Sequence, residues 1–220
     1  MDAELKNSSL NTGTTILGIV CKDGIVMASD RQISAGNLVV SKTFQKTIPI
    51  SDYLLISFTG SVSDSQRVAK ILPAELRLKE LRSKSRPTIS QAANLLSSVL
   101  YSGARQSMMM VGNLIGGYNE DGTTELYTVE PAGSVIKVED YDANFGSGMP
   151  YVLGLLERQY KKGISIHDGI ELAKESLKSS TQRDMGSGYG IDIYTITKDG
   201  IKKVVEQTIE PNYIDDKKEK

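Results

Sequence analysis

The run ILGIVC at residues 16–21 is apolar on both faces of a strand, and no other feature of the sequence constrains the fold as strongly. Successive side chains of a strand point to opposite faces of its sheet, so the even and odd positions of this run lie on different faces. Neither set holds a polar residue. Because such a strand has to be covered on both sides, the sequence predicts a sheet with packed layers above and below it.

The remaining periodicity supplies those layers in a regular order. The turn Lys22-Asp23-Gly24 leads into a return strand, IVMAS, and so predicts a hairpin. We expect GNLVVS and KTIPI to pair next, followed by YLLISFTG, two helices, three strands beginning with MMMVGNLIGGY, two more helices and two closing strands. Paired amphipathic helices between doubly covered strands favour an α+β fold, a four-layer αββα sandwich.

Short motifs mark the expected helix starts. Capping boxes are predicted at Ser63 and Gln66, at Thr88 and Gln91, and at Ser165 and Asp168. Pro150 suits the first turn of the third helix. Pro73 lies inside the first helix, whose apolar spacing extends to Leu81, and it predicts a kink or a break there because it removes a backbone donor.

Charge and hydropathy exclude several classes of function. The 26 basic and 27 acidic residues leave a net charge of −1, without the basic stripe that holds a nucleic acid backbone. No stretch is apolar for long enough to span a bilayer, and the first residues lack the apolar centre of a signal peptide. We therefore expect no nucleic acid or membrane partner and a cytoplasmic location.

Residues that bind metals or cofactors are scarce. Cys21 is the only cysteine and is expected to be a buried, unreactive thiol. His167 is the only histidine and favours a surface role, which argues against histidine-dependent hydrolases and histidine-rich metal sites. Met108–Met110 are expected to pack in the core. The piece GSGMP misses the dinucleotide fingerprint because Tyr151 takes its third glycine position, and GSGYG misses it because it leads into a strand and not into a helix. We expect neither metal nor cofactor.

The pair Gly13-Thr14 carries the strongest chemical signal, although Thr14 could also be an ordinary residue opening a strand. A threonine hydroxyl is a poor nucleophile without a base, and an N-terminal threonine has one in its own α-amino group. That amine titrates at about 7.7 to 8, so part of it is unprotonated near neutral pH. Cleavage of the Gly13–Thr14 bond would expose it, and glycine tolerates the strained backbone angles such a bond can need. The charge of Lys46, oriented by Asp30, would keep the amine unprotonated.

Together with Asp30 and Lys46, the motifs GTT, FTGSVSDSQ, GSGMP and QRDMGSG resemble the β subunits of archaeal 20S proteasomes. These are N-terminal nucleophile hydrolases with the αββα fold. The resemblance runs from Gly13 to about Glu206 and implies a threonine endopeptidase that degrades unfolded proteins to short peptides. It also implies that residues 1–13 are a propeptide removed by autocatalytic cleavage, and that residues 14–220 form one catalytic domain with a polar tail from about residue 210.

The same resemblance implies roles for individual residues. Thr14 would be the nucleophile and, through its amine, the base, while Asp30 and Lys46 would form the charged pair. The remaining matches are Gly60, whose N–H would stabilise the oxyanion, and Ser147, Asp184 and Ser187, which would surround the threonine amine. The pocket for the side chain before the cleaved bond would be lined by Ile33, Phe44, Phe58 and Val62.

Partners follow only from the resemblance. It implies heptameric β rings stacked between rings of α subunits, with a hexameric AAA ATPase acting through the α ring. Two departures are visible: Gln32 stands where the family often has a second basic residue, and Pro73 lies in a helix that is usually unbroken. A non-catalytic structural subunit and a bacterial threonine protease with a single ring type are the alternatives.

Overall fold

The computed structural model describes residues 13–212, and antiparallel strands form the centre of this part of the chain. The strands are β1 (Ile16–Cys21), β2 (Gly24–Asp30), β3 (Ile33–Ala35), β4 (Leu38–Ser41), β5 (Thr47–Pro49), β6 (Leu54–Gly60), β7 (Val111–Tyr118), β8 (Thr124–Val129), β9 (Val135–Lys137), β10 (Tyr141–Asp142), β11 (Gly190–Thr197) and β12 (Gly200–Thr208). The helices are α1 (Val62–Ser83), α2 (Ile89–Ser107), α3 (Met149–Gln159) and α4 (Ile166–Arg183). The predicted order of strands and helix pairs is confirmed.

Two five-stranded sheets pack face to face, and helices cover both outer faces. The first sheet has the order β10-β1-β2-β11-β12, and the second has the order β5-β6-β7-β8-β9. Ile16, Met27 and Leu114 belong to the cluster between the sheets. Helices α1 and α2 pack on the second sheet, whereas α3 and α4 pack on the first. The predicted αββα sandwich is confirmed.

Strand β1 shows why its sequence is apolar on both faces. Ile16 packs into the layer between the sheets, while Leu17 and Ile19 pack against the helices on the other side. All three side chains are fully buried. Since complete burial of such a side chain stabilises the fold by about 1.5–3 kcal/mol, both faces of the strand contribute.

Helix α1 differs from its prediction at both ends. Its N-cap is Ser61, whose hydroxyl accepts from the N–H of Asp64, so the capping box at Ser63 and Gln66 is wrong. The helix runs through Pro73 without a break. Leu81, which the apolar spacing places on the buried face, has a side chain that is 60% exposed. Proline inside a helix costs about 3 kcal/mol. The buried stripe on the second sheet, which includes Leu72 and Leu76, offsets this cost.

Two strand predictions are wrong for local reasons. GNLVVS does not pair with KTIPI, because β4 turns back on β3 through Gly36, which has a φ of 58°; β5 pairs with β6. The strand expected from Met108 starts at Val111, since Met108 ends α2 with a φ of 52°. Only Met109 of the three methionines is buried.

Other local predictions hold. Thr88 and Gln91 form the reciprocal capping box of α2. Ser165 caps α4, although Asp168 accepts from the Ser165 hydroxyl and not from its backbone N–H. Residues 1–12, which are predicted to belong to a propeptide, and the residues beyond 212 lie outside the described residues. Within the described part, none of the helices is long and apolar enough to cross a membrane.

Candidate active site

The hairpin of β1 and β2 brings Thr14 and Asp30 to the same end of the first sheet. Thr14 precedes β1 and Asp30 ends β2, and Ile16 pairs with Ser29 in the antiparallel register. Lys46 comes from the second sheet, where it directly precedes β5. The site therefore lies where the ends of the two sheets meet.

Asp30 is the most heavily hydrogen-bonded side chain of this site. Its Oδ1 lies 2.6 Å from Lys46 Nζ and accepts from the Thr15 N–H at 2.8 Å. Its Oδ2 accepts from the N–H groups of Gln32 at 2.9 Å and Gly188 at 3.1 Å. Asp30 is completely buried and Lys46 is 3% exposed. The carboxylate thus holds the lysine and three backbone segments in place.

Burial and pairing act in opposite directions on these two charges. Burial lowers the pKa of Lys46 from its ordinary value of 10.5, and the attraction and hydrogen bond of Asp30 oppose that shift. Burial likewise raises the pKa of Asp30, against Lys46 and the backbone N–H donors. Because each ion is stabilised mainly by the other, loss of either charge destabilises the one that remains.

Thr14 is buried beside this pair and still carries Gly13. Its hydroxyl donates to the carbonyl oxygen of Gly13 at 2.6 Å, and Lys46 Nζ lies 3.4 Å from the same oxygen. The Thr14 nitrogen donates to Ser147 Oγ at 3.1 Å. This nitrogen is a peptide amide here, and it marks the position that an α-amino group would take after cleavage at Gly13.

Ser147, Asp184 and Ser187 form a second hydrogen-bonded group on the other side of Thr14. Asp184 Oδ2 accepts from Ser147 Oγ at 2.6 Å and from Ser187 Oγ at 2.5 Å. Ser187 Oγ in turn lies 2.7 Å from Thr15 Oγ1. The residues come from the β10–α3 and α4–β11 connections, so two distant loops are joined at the threonine.

The glycines beside Ser147 are required by close packing. A Cβ on Gly146 would lie 2.2 Å from the Thr14 carbonyl oxygen, and a Cβ on Gly148 would lie 1.8 Å from Thr15 Oγ1. The GSG motif therefore allows its loop to approach Thr14 closely, which explains its glycines without a phosphate ligand.

The four predicted pocket residues line one small cavity next to Thr14. The residues around it are Gly13, Thr14, Ile33, Phe44, Lys46, Phe58, Thr59, Gly60, Val62 and Ser65. Its volume is about 20 Å³, which is room for about one water molecule. Gly60 has a φ of 99°. In this uncleaved chain, the described hydrogen bonds of the Gly13 carbonyl come from Thr14 and Lys46 and not from Gly60.

The chain is similar to one protein-family model and to several proteins of known family. The family model "Proteasome subunit" matches residues 10–196. Proteasome subunit beta of Nanoarchaeum equitans is 47% identical over 191 residues, which cover 87% of this chain and 96% of that protein. Proteasome subunit beta of Methanopyrus kandleri is 39% identical over 203 residues, covering 91% and 95%. Proteasome subunit beta 1 of Thermococcus kodakarensis is 38% identical over 197 residues, covering 90% and 95%.

The chain belongs to the proteasome subunit family. The resemblance to archaeal β subunits seen in the sequence is thereby confirmed. In this proteasome subunit, every residue proposed from the resemblance lies either in the hydrogen-bonded group around Thr14 or around the adjacent cavity.

Several residues of the site were missed by sequence reasoning. The backbone N–H groups of Thr15 and Gly188 hold Asp30. Gln32, noted only as a departure from the family, is buried and donates through Nε2 to Ser34 Oγ and to the Met185 carbonyl, each at 2.8 Å. Backbone donors leave no trace in side-chain patterns, so only the structure reveals them.

An ionic network centred on the buried Asp192 also lies next to Asp30. Arg31 lies 2.6 Å from Asp192 and 2.7 Å from Glu206, and Lys203 lies 2.9 Å from Asp192. Asp192 is completely buried in β11. In the sequence, this network is signalled by one charged residue, Asp192, in the otherwise uncharged run IDIYTIT.

The residues considered for other chemistry lie away from this site. His167 is exposed in the first turn of α4. Cys21 is a free, buried thiol, and burial together with Asp23 and Asp168 raises its pKa to about 12. Within residues 13–212, three or more His, Cys, Asp or Glu side chains do not come together as a metal site.

Proposed function

We propose that this protein is a threonine-type endopeptidase β subunit of a proteasome core and that Thr14 is its nucleophile. The observation that carries the proposal is the position of Lys46 Nζ, which contacts both the buried Asp30 carboxylate and the carbonyl oxygen of Gly13. A lysine ammonium at this point stabilises negative charge at the bond to be cleaved. A surface lysine would have no such pair of partners.

Self-processing is the first reaction that this arrangement supports. The Thr14 oxygen attacks the carbonyl carbon of Gly13, the Gly13–Thr14 amide bond breaks, and an ester to Thr14 Oγ replaces it while the Thr14 nitrogen becomes an amine. Water then hydrolyses the ester, which releases residues 1–13 with a carboxylate at Gly13. Residues 1–13 thus act as a propeptide that blocks the amine, as in a zymogen.

Peptide hydrolysis follows the same chemistry in the mature subunit. The α-amino group of Thr14 takes the hydroxyl proton as Oγ attacks the scissile carbonyl, and it later gives the proton to the leaving nitrogen as the amide bond breaks. Water then hydrolyses the ester formed on Thr14 Oγ, which releases the other peptide and restores the hydroxyl. Lys46, held by Asp30, favours the unprotonated amine. Ser147 lies at hydrogen-bond distance from that nitrogen and is itself held by Asp184. We assign the oxyanion contact to the N–H of Gly60, which lines the cavity beside Thr14.

The apolar cavity is proposed as the pocket for the substrate side chain before the cleaved bond. Ile33, Phe44, Phe58 and Val62 offer no carboxylate to a basic side chain. Gly13 lines the cavity and leaves on maturation, so we propose that the pocket opens when the propeptide is released. Apolar side chains are then favoured by about 0.8 kcal/mol for each buried methylene.

The partners and location are proposed from the family. We propose heptameric β rings between rings of α subunits, a hexameric AAA ATPase that feeds unfolded proteins through the α ring, and a cytoplasmic location. We also propose that residues 14–220 act as one catalytic domain.

Intact-mass measurement and N-terminal sequencing of the assembled particle test the proposal. The mature subunit should begin at Thr14, Thr14→Ala should retain residues 1–13 when every β subunit carries it, and Thr14→Ser should still be processed because it keeps a hydroxyl. Active particles whose β subunit begins elsewhere, or hydrolysis by the Thr14→Ala particle, would refute the assignment. A particle that is never processed and never active would support the structural subunit instead.

A further inference from the structure

A second cavity beside the site lies between two separate parts of the chain. Its volume is about 220 Å³. One wall is the β3–β4 hairpin, which contributes Ser34 and Asn37, and the facing wall is the α4–β11 connection, which contributes Asp184 and Met185. We call this cavity the polar cleft, because hydroxyl, amide and carboxylate groups line it. It differs in chemistry from the apolar cavity proposed for the residue before the cleaved bond.

The polar cleft lies on the side of Thr14 where the leaving nitrogen has to be protonated. In the proposed mechanism the proton comes from the α-amine, whose position is marked by the Thr14 nitrogen, 3.1 Å from Ser147 Oγ. Ser147 lines the polar cleft and donates to Asp184 Oδ2 at 2.6 Å. A general acid acts within hydrogen-bond reach of the atom that it protonates. The half of the substrate after the cleaved bond is therefore directed toward this cleft.

Gln32 joins the two walls of the polar cleft. It is 4% exposed and directly precedes β3. Its Nε2 donates to Ser34 Oγ on one wall and to the Met185 carbonyl oxygen on the other, each at 2.8 Å. Strands β3 and β4 form a two-stranded sheet of their own, so strand pairing does not hold the hairpin to either five-stranded sheet. The Gln32 amide is thus a direct link between the hairpin and the α4–β11 connection.

The link to Met185 requires a hydrogen-bond donor at position 32. A carbonyl oxygen can only accept, so the group that faces it has to carry an N–H. A glutamate has nearly the shape of glutamine, but it would place a carboxylate oxygen against the Met185 carbonyl and lose the contact. A lysine keeps a donor at the end of its side chain. The link therefore depends on donor capacity and not on the shape of the side chain alone.

We propose that Gln32 is a positioning residue for the leaving half of the substrate: by joining Ser34 to Met185, it fixes the width of the polar cleft through which that half passes. This inference rests on the proposed function, because it concerns peptides that Thr14 cleaves. Gln32 acts through the two walls and not on the reacting atoms. Cleavage of a substrate with a long leaving half therefore depends on Gln32 more than cleavage of one with a short leaving group.

Two peptide substrates test this with assembled particles. Both are identical up to a leucine before the cleaved bond; one ends there in a fluorogenic amide, and the other continues for several residues to a quencher. For Gln32→Glu, we expect kcat/KM to fall about tenfold more for the extended peptide than for the short amide, the change that the loss of one buried hydrogen bond gives. Gln32→Lys, which keeps a donor, should retain a ratio of the two kcat/KM values close to that of the wild type.

The ratio separates this role from general damage, which lowers both kcat/KM values together. Gln159→Glu is the matched control, since it makes the same change at an exposed position at the end of α3. If Gln32→Glu does not assemble or loses all turnover, Gln32→Met, which has a similar length and lacks the amide donor, decides in its place.

Two results would overturn the inference: an unchanged ratio in the glutamate or methionine variant, or a change in Gln32→Lys as large as that in Gln32→Glu. A wild-type particle that cleaves neither peptide would refute the proposed function. A wild type that cleaves both peptides, together with variants of unchanged ratio, would refute this inference alone.

Discussion

Replacement of Asp30 by asparagine should inactivate the subunit although the two side chains have nearly the same shape. Each carboxylate oxygen of Asp30 accepts from two donors: Oδ1 from Lys46 and Thr15, and Oδ2 from Gln32 and Gly188. An asparagine has an NH₂ group in place of one oxygen. Whichever way it faces, two buried donors lose their acceptor.

The free-energy cost of the substitution follows from the number of buried donors that lose their acceptor. A buried donor left without a partner costs about 1–3 kcal/mol, so two cost about 2–6 kcal/mol. The amide should turn its oxygen toward Lys46, because an unpaired buried ammonium costs more than two unpaired backbone N–H groups. Burial lowers the pKa of Lys46, and without the negative charge of Asp30 only Asp184 opposes that effect, so the pKa falls further. Lys46 should then hold its positive charge less strongly, and catalysis should be lost.

The assay compares Asp30→Asn with Asp199→Asn, a change at an exposed carboxylate in the β11–β12 turn. Peptide hydrolysis by assembled particles gives kcat/KM, and thermal unfolding gives the change in stability. We expect Asp30→Asn to show no measurable turnover and a lower midpoint, while the control behaves as wild type. An Asp30→Asn particle with an unchanged midpoint and turnover within about tenfold of wild type, a loss of only 1.4 kcal/mol, would refute the reasoning.

Three other predictions address the lysine and the pocket. Lys46→Ala and Lys46→Arg should both abolish hydrolysis in assembled particles, because a planar guanidinium cannot take the place of a compact ammonium; turnover by either would contradict the role of Lys46. Since burial lowers the pKa of Lys46, its charge is lost as the pH rises toward 10.5, and kcat/KM should fall on the alkaline side below that pH. A kcat/KM that stays constant up to pH 10.5 would contradict this prediction. Matched fluorogenic peptides should be cleaved faster after Leu, Phe or Tyr than after Arg or Glu, and Phe58→Ala should shift the preference toward bulkier residues; equal rates after Arg would place the pocket elsewhere.

The layers of this fold are predictable from sequence because hydrophobic periodicity reports burial directly. The two apolar faces of β1 indicate a covered sheet, and both faces are buried in the structure. Errors arise where tertiary packing overrides a local rule. Pro73 stays inside α1 because the helix packs on the second sheet, and Met108 ends α2 where apolar composition predicted a strand.

Prediction of the site from the sequence is limited in the same way. Thr14, Asp30 and Lys46 could be proposed from residue type and family motifs, because their side chains carry the chemistry. The link from Gln32 to Met185 could not, since it depends on a backbone acceptor far along the chain. The link of Arg31 to Glu206 is hidden for a similar reason, as both look like ordinary surface charges in the sequence.

The long sequence separation between the two halves of the site has a consequence during synthesis. Thr14 and Lys46 leave the ribosome early, but Gly188, which binds Asp30, and Glu206, which binds Arg31, are made near the end of the chain. A nascent chain that ends before Gly188 lacks both of these contacts, so the charged groups beside Thr14 are not yet fully held. We therefore expect cleavage to await a nearly complete polypeptide.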